Sequence, residues 1–261
     1  MNLLLFTFLI TLLGFICFWL IQVKLKDAGV VDIYWGPGFA VIVFIYIAFH
    51  QNTTPYLCII SIITIAWSLR LGIHMGVRHH KSEDEDRRYA LMRRKNGKSF
   101  WWLSLFKVFL LQAVLMWIIA SPQHAAFSIT KTLEHPINIS IFLIGLGLFV
   151  AGFAFETLAD YQLVKFKSDS KNDGKTLTQG LWAWSRHPNY FGEMVLWWGF
   201  GLCGFAVSGA WWAFVGPALL TFLLLRVSGV TLLEQHLLPE KEGYDAYMKN
   251  TSRFIPRRPS R

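Results

Sequence analysis

Apolar residues run along this chain in blocks of about twenty, broken by short polar stretches and by two long charged ones. A helix needs about 20 mostly apolar residues to cross roughly 30 Å of hydrocarbon. Seven blocks meet that measure: Leu3–Val23, Val30–Phe49, Pro55–Val77, Phe100–Ala120, Ile137–Leu158, Phe191–Val207 and Ala210–Leu233. The second and sixth are the weakest, being short or carrying an acid near one end. The pattern predicts an all-α, polytopic integral membrane protein of about seven transmembrane helices in a single transmembrane domain. A signal peptide at Leu3–Val23 is the alternative for the first block, but it lacks a basic leading region and a small-residue cleavage site.

Composition agrees with the pattern. The 261 residues are 54% hydrophobic and only 16% charged, against about 25% charged in an ordinary soluble domain. Disorder, collagen-like repetition and a disulfide scaffold are excluded. Cys17, Cys58 and Cys203 all lie inside apolar stretches, where a thiol acts as a small hydrophobe. The net charge of +9 is a topology signal, because 21 of the 25 basic side chains fall on one side of the predicted membrane and the opposite loops hold only Lys131. Basic residues stay in the cytoplasm, which predicts an external N-terminus and a cytoplasmic C-terminus. Some attraction to anionic lipid follows. Nucleic-acid binding does not, since no separate basic domain exists.

Ionisable groups inside spans cost about 2.5–3.5 kcal/mol each at mid-membrane and are functional hypotheses by default. They are Asp32, Arg70, His74, Lys107, Glu156, Glu193 and Arg226. The predicted orientation puts all of them in the cytoplasmic leaflet. Lys107 is read as a snorkelling side chain. Arg70, His74 and Arg78 share one helical face. Asp32 is too short to snorkel and needs a partner, for which Arg70 or Arg226 is expected. So many polar groups at one depth suggest a pocket open to the cytoplasm.

The fifth span continues into Asp160, Gln162, Lys165 and Lys167, and Glu156, Asp160 and Lys167 fall on roughly one face. A turn-rich stretch follows from Ser168 to Gly174, and then Trp182-Ala183-Trp184-Ser185-Arg186-His187-Pro188-Asn189-Tyr190-Phe191-Gly192-Glu193 opens the sixth span. Pro188 suits the first helical position. That leaves Arg186 and His187 on the entering chain, with Asn189 and Glu193 one turn apart. A helix N-terminus beside Arg and His can hold an anion, and Asn and Glu can bond an adenine or a ribose. An interfacial aromatic belt explains the Trp and Tyr residues, but not this polar run. Gly199-Phe200-Gly201-Leu202-Cys203-Gly204 formally matches a dinucleotide fingerprint, yet it lies mid-span with no strand before it and reads as a helix-packing surface. His79-His80 beside an acidic run reads as solvated loop, and no metal site is expected.

Ser185-Arg186-His187-Pro188-Asn189-Tyr190-Phe191-Gly192-Glu193 resembles the RHPxYxG element of membrane steroid 5α-reductases, sterol C14-reductases and isoprenylcysteine carboxyl methyltransferases, in a form closer to the reductases. From Val31-Asp32-Ile33-Tyr34-Trp35-Gly36 through Arg87-Arg88-Tyr89 to Glu242-Gly243-Tyr244-Asp245-Ala246-Tyr247, the chain resembles the 5α-reductase-like membrane proteins of the DUF1295 group. The resemblance implies seven helices around a pocket with NADPH at its cytoplasmic end and an apolar substrate at its lipid end. It implies cofactor contacts at Asp160, Lys167, Asn189, Glu193 and Arg226, with softer matches at Lys165, Arg186, His187, Tyr190, Glu234 and Tyr244. Most of these lie in the C-terminal part, 159–261. The family's Gln-Glu pair and third-helix Tyr are replaced here by Asp32 and, near the Tyr position, Trp67.

Three functions are open at this point. The first is an NADPH-dependent reductase that delivers hydride to the carbon–carbon double bond of an enone in a steroid-like or other lipid substrate, with Asp32 and Arg70 polarising it and Tyr34 a reserve donor. The second is an S-adenosylmethionine-dependent methyltransferase acting on a lipid-like acceptor. The third is a non-enzymatic lipid or haem carrier. The bases near the cofactor loop favour a multiply phosphorylated dinucleotide, and hence the first. A bacterial inner membrane is the simplest location, with the endoplasmic reticulum if the source is eukaryotic. Substrate identity and oligomeric state have no signature in the sequence.

Overall fold

Short polar side chains and prolines set where the helices begin. In the computed structural model, which describes residues 2–49, 54–82, 84–128, 137–227 and 243–258, the Asn2 side chain caps α1 (Leu3–Leu25). Thr54 caps α3 (Pro55–His80), with Pro55 in the first turn where its missing N–H costs nothing. Asn138 caps α7 (Ile139–Lys167) by accepting from the Ile141 N–H. Helix α2 (Val30–Phe49) starts where the sequence predicts, and α8 (Pro188–Ser208) starts at Pro188 and ends on Gly209 in the left-handed region.

The chain forms two compact units, residues 1–136 and 137–261. The first contains α1, α2, α3, a short polar α4 (Arg87–Asn96), α5 (residues 100–119) and α6 (Ser121–Phe127). The second contains α7, α8, α9 (Trp211–Val227) and α10 (Tyr244–Asn250). Among the described residues, six helical stretches are long and apolar enough to cross a membrane, that of the fourth running from Arg87 to Ile119. The seventh predicted span is described only over Trp211–Val227, a shorter apolar helix; its remainder, with Glu234, lies outside the described residues, as does Lys131. No strand occurs among the described residues. The protein is an all-α, multi-pass membrane protein.

Glycine decides how closely the helices pack. In the first unit, a Cβ at Gly36 of α2 would lie 2.7 Å from the Gly72 nitrogen of α3. In the second, a Cβ at Gly152 of α7 would lie 2.6 Å from the Gly192 oxygen of α8, and one at Gly199 would lie 2.6 Å from the Gly145 oxygen. Gly145 and Gly152 are seven residues apart, as are Gly192 and Gly199, so each helix presents its pair on one stripe. The run beginning at Gly199 is therefore the packing surface its sequence suggests, with Gly201 set against Phe214 and Pro217.

Two helices are locally widened. Residues Leu105–Leu110 of α5 and Leu223–Val227 of α9 are π-helical, and they carry Lys107 and Arg226, both exposed.

Candidate functional site

In the first unit, a polar network forms at the start of α2. Asp32 accepts from Arg88 at 2.7 Å and from the Tyr89 hydroxyl at 2.9 Å. The Tyr89 hydroxyl accepts in turn from the Gln112 amide at 3.1 Å, and Gln112 accepts from the Trp35 indole N–H. The bonds run in one direction, from Trp35 through Gln112 and Tyr89 to the carboxylate. Arg88 also holds Asp86, the N-cap of α4, through two nitrogens at 2.9 and 3.2 Å. Burial pushes the Asp86 carboxyl up, but Arg88's hydrogen bonds and charge outweigh it and leave Asp86 below the ordinary carboxylate value. A second clamp lies beside the first: Glu85 takes two bonds from Arg93, at 2.9 and 2.8 Å, and accepts from the Ala28 N–H.

This corrects the expected partner of Asp32. Its described partners are Arg88 and Tyr89, on α4, and not Arg70 or Arg226. The reason is reach: α4 folds its first turn over the end of α2, bringing a guanidinium and a phenol to a carboxylate too short to find them itself. Tyr34 is not brought to Asp32. Two positions along a helix point nearly opposite ways, and the Tyr34 ring stacks on Phe18 and meets Phe15 edge-on, both on α1. Arg70 and His74 are partly exposed and engaged in other interactions. Trp67 is buried against Phe39. His79 faces Asp27 at 3.4 Å, and no metal-binding cluster occurs among the described residues.

In the second unit, the close approach of α7 and α8 brings Asp160 to Asn189. The Asn189 amide donates to the Asp160 carboxylate at 3.1 Å, and Asp160 is 6% exposed. Glu156, one turn back, is buried against the Gly192 backbone. His187 is the N-cap of α8, with Pro188 in the first turn, so Arg186 and His187 do lie on the entering chain. The His187 ring stacks on Tyr190 with centroids 5.8 Å apart. Glu193 is half-buried one turn beyond Asn189, while Lys165 and Lys167 are exposed at the end of α7. Tyr244 is buried against Tyr247.

The approach to α8 is pinned from two sides. Gln162 of α7 accepts from the Leu181 N–H at 2.9 Å, and the Trp182 indole donates to the Ala159 carbonyl. From the tail, the Ser185 hydroxyl donates to the Phe254 carbonyl at 2.7 Å, and the Arg186 N–H to the Ser252 carbonyl at 2.9 Å. The Tyr247 hydroxyl donates to the Trp182 carbonyl. The motif segment is thus held rigidly in front of the helix it opens.

Sequence reasoning missed Gln112, Trp35 and the partnership of Arg88 and Tyr89 with Asp32. A usable signal existed: Asp86 is an N-cap residue followed by two arginines and a tyrosine, which starts a helix with its cations on the first turn. Nothing in the sequence says where that helix docks.

Helix content, span lengths and these polar ends define a multi-pass membrane protein with charged groups gathered at helix termini. It belongs to the family described as "Protein of unknown function (DUF1295)", whose profile matches residues 18–251. An uncharacterized protein of Schizosaccharomyces pombe is 27% identical over 268 residues, covering 92% of this chain and 75% of that protein. The 3-oxo-5-alpha-steroid 4-dehydrogenase 1 of Macaca fascicularis is 36% identical over 73 residues, 28% of each chain. That of Bos taurus is 30% identical over 115 residues, 44% of this chain and 41% of the enzyme. The alignments thus span well under half of these steroid dehydrogenases. No solved structure matches the chain.

Proposed function

We propose that the protein is a membrane-embedded, NADPH-dependent reductase acting on the carbon–carbon double bond of an enone in a steroid-like or other lipid substrate. The observation that carries this reading is the Asp160–Asn189 pair, with Arg186 and His187 at the start of α8. An acid and an amide side by side suit the hydroxyl and amine edges of a nucleoside, and a 21-residue helix with Arg at its N-terminus suits a phosphate. Similarity to the 3-oxo-5-alpha-steroid 4-dehydrogenases supports it.

The donor set fits the dinucleotide. Asp160, Asn189, Glu193 and Tyr190 would hold its nucleoside parts, and Arg186, His187, Lys165, Lys167 and Arg226 its phosphates, with Tyr244 and Glu234 as further contacts. When bound, the reduced nicotinamide supplies a hydride. The chain's own task is to hold the substrate carbonyl so that negative charge can build on its oxygen. Asp32 and Tyr89 would share that role: the Tyr89 hydroxyl, which donates to the Asp32 carboxylate, would turn its proton to the substrate oxygen, and Arg88 holds the carboxylate in place. Arg70 is a second candidate for the same charge, and Tyr34, packed on α1, stays in reserve.

The test begins with the nucleotide that co-purifies with full-length protein in detergent. NADP(H) is expected; S-adenosylhomocysteine would replace this reading with a methyltransferase, and no nucleotide with a carrier. With a turning-over enone in hand, Asp32→Asn should retain bound nucleotide while slowing NADPH oxidation by about 10²–10⁴-fold. Turnover at the wild-type rate would remove Asp32 from the chemistry.

A further inference from the structure

The last turn of α10 and the segment after it border an open recess of about 500 Å³, lined by residues 249–255, 257 and 258. Four cations line it, Lys249, Arg253, Arg257 and Arg258, and no carboxylate does among the described residues. Among the described residues, Lys249, Arg257 and Arg258 have no ion-pair partner. Four positive charges around one recess repel each other, so an anion in the recess lowers the energy of all of them.

The recess is fixed in place and in depth. The Arg186 N–H donates to the Ser252 carbonyl and the Arg257 N–H to the Trp184 carbonyl, both at 2.9 Å. These bonds tie it to chain two to four residues before Pro188, where the membrane-spanning α8 begins. A recess held at the end of a spanning helix lies at headgroup level. Two large apolar side chains turn outward beside it, Ile255 at 55% exposure and Trp184 at 48%. Cations mixed with exposed aromatic and aliphatic groups suit the boundary between headgroups and acyl chains.

We propose that this recess binds the phosphate of an anionic membrane phospholipid, with Arg257 and Arg258 as its main ligands and Ile255 and Trp184 seated in the acyl boundary. A soluble phosphate offers the same charge but gives no role to the two exposed apolar side chains. The site is separate from the Asp160–Asn189 pair and does not depend on the reductase reading.

The experiment is native mass spectrometry of the full-length protein in detergent, titrated with phosphatidylglycerol or with phosphatidylcholine of the same acyl chains. Phosphatidylglycerol should be retained at least about tenfold more tightly, since each cation near an anionic lipid contributes roughly a fivefold factor. R257Q/R258Q should lose about thirtyfold in phosphatidylglycerol affinity, and K249Q alone about fivefold. K98Q, an exposed cation of the first unit, should change nothing. K249Q gives a second reading should the double variant fail to fold. Equal affinity for the two lipids would overturn the proposal, as would wild-type phosphatidylglycerol binding by the folded variants. Displacement of the lipid by millimolar inorganic phosphate, with phosphate bound to lipid-free protein, would make this a soluble-phosphate site and overturn it as well.

Discussion

The two units solve one problem, that of keeping polar groups at the ends of apolar helices, by different physics. The first spends charge: Asp32, Asp86 and Arg88 form one cluster, Glu85 and Arg93 another, and both draw on the short polar α4. The second uses contact: glycines let α7 and α8 meet backbone to backbone, with hydrogen bonds such as Asn189 to Asp160 and Leu181 to Gln162 beside that contact. A charged cluster tolerates small shifts in geometry but fails when a partner is removed. A backbone contact needs no charge but fails when volume is added. The residues offered for chemistry follow the same division, with the acid for polarising a substrate in the charged unit and the groups for gripping a cofactor in the close-packed one.

The largest expected effect breaks the second unit by volume. Gly152→Leu places a side chain where even a Cβ would lie 2.6 Å from the Gly192 oxygen. Backbone cannot move aside as a side chain can, so the cost should exceed the usual 1–3 kcal/mol of overpacking. Thermal melts in detergent should show the variant unfolded or its transition lowered by well over 10 °C, on a scale of roughly 2–4 °C per kcal/mol for a chain of this size. Gly147 lies on the same helix with nothing near its Cβ position, and Gly147→Ala should melt as wild type. A stable Gly152→Leu would mean that α7 and α8 do not touch through their backbones.

The next effect titrates the first unit. His124, on α6 beyond the end of the fourth span, accepts from the Tyr46 hydroxyl through Nδ1 and donates to the Trp117 carbonyl through Nε2, because a carbonyl can only accept. Burial pushes its pKa down to about 4, against a smaller upward pull from the Trp117 carbonyl. Between about 4 and its ordinary value the unfolded chain therefore binds a proton that the folded one does not. Stability is complete above pH 6.5 and falls as the pH drops toward 4, by at most about 1.4 kcal/mol per unit. Denaturant midpoints across that window should show the slope, and His124→Gln should flatten it. An unchanged slope in the variant would move the titration to another group.

Much of this division is legible in the sequence, and its limits have physical causes. The start of α8 can be read because Pro188 acts locally, on its own turn. The packing run at Gly199 can be read because small residues mid-span have few other uses. The partner of Asp32 cannot, because it is 56 residues away and reached through α4, whose docking depends on tertiary contacts. The strap over Trp182–Arg186 is hidden for another reason. Several of its bonds run to main-chain carbonyls, and a carbonyl is the same at every residue.

A smaller effect tests the charge cluster. Removing one member of a fully buried pair costs about 3–5 kcal/mol, but the Arg88 side chain is 34% exposed, so water takes up part of the loss. Arg88→Met should cost about 1–2 kcal/mol, intermediate between buried and surface pairs. Asp32→Asn should cost less, since Arg88 keeps Asp86. The double variant should be more stable than the sum of the two predicts, because the cluster then lacks the charge that Arg88→Met strands. Strict additivity in the cycle would show that Arg88 and Asp32 are not coupled.

The smallest effect separates the strap from the helix pair it rests on. The Tyr247 hydroxyl donates to the Trp182 carbonyl and lies 3.4 Å from that of Ser185. Tyr247→Phe keeps the ring and its packing on Tyr244 but removes the donor. One neutral hydrogen bond is worth about 0.5–1.5 kcal/mol, too little to disturb α7 and α8, whose contact uses none of these atoms. The global melt should therefore stay within about 2–4 °C of wild type. The tail has fewer anchors, the Ser185–Phe254, Arg186–Ser252 and Arg257–Trp184 bonds, and loss of its tyrosine should raise its local opening by about 2–10-fold on that scale. Limited trypsin digestion reads this directly, because Arg253 and Arg257 are exposed cleavage sites on the strap. Faster cleavage there with an unchanged melt is the expected result. Equal loss of both would show that the strap and the glycine-packed pair unfold as one cooperative unit, so that contact and hydrogen bonding in the second unit are not separable.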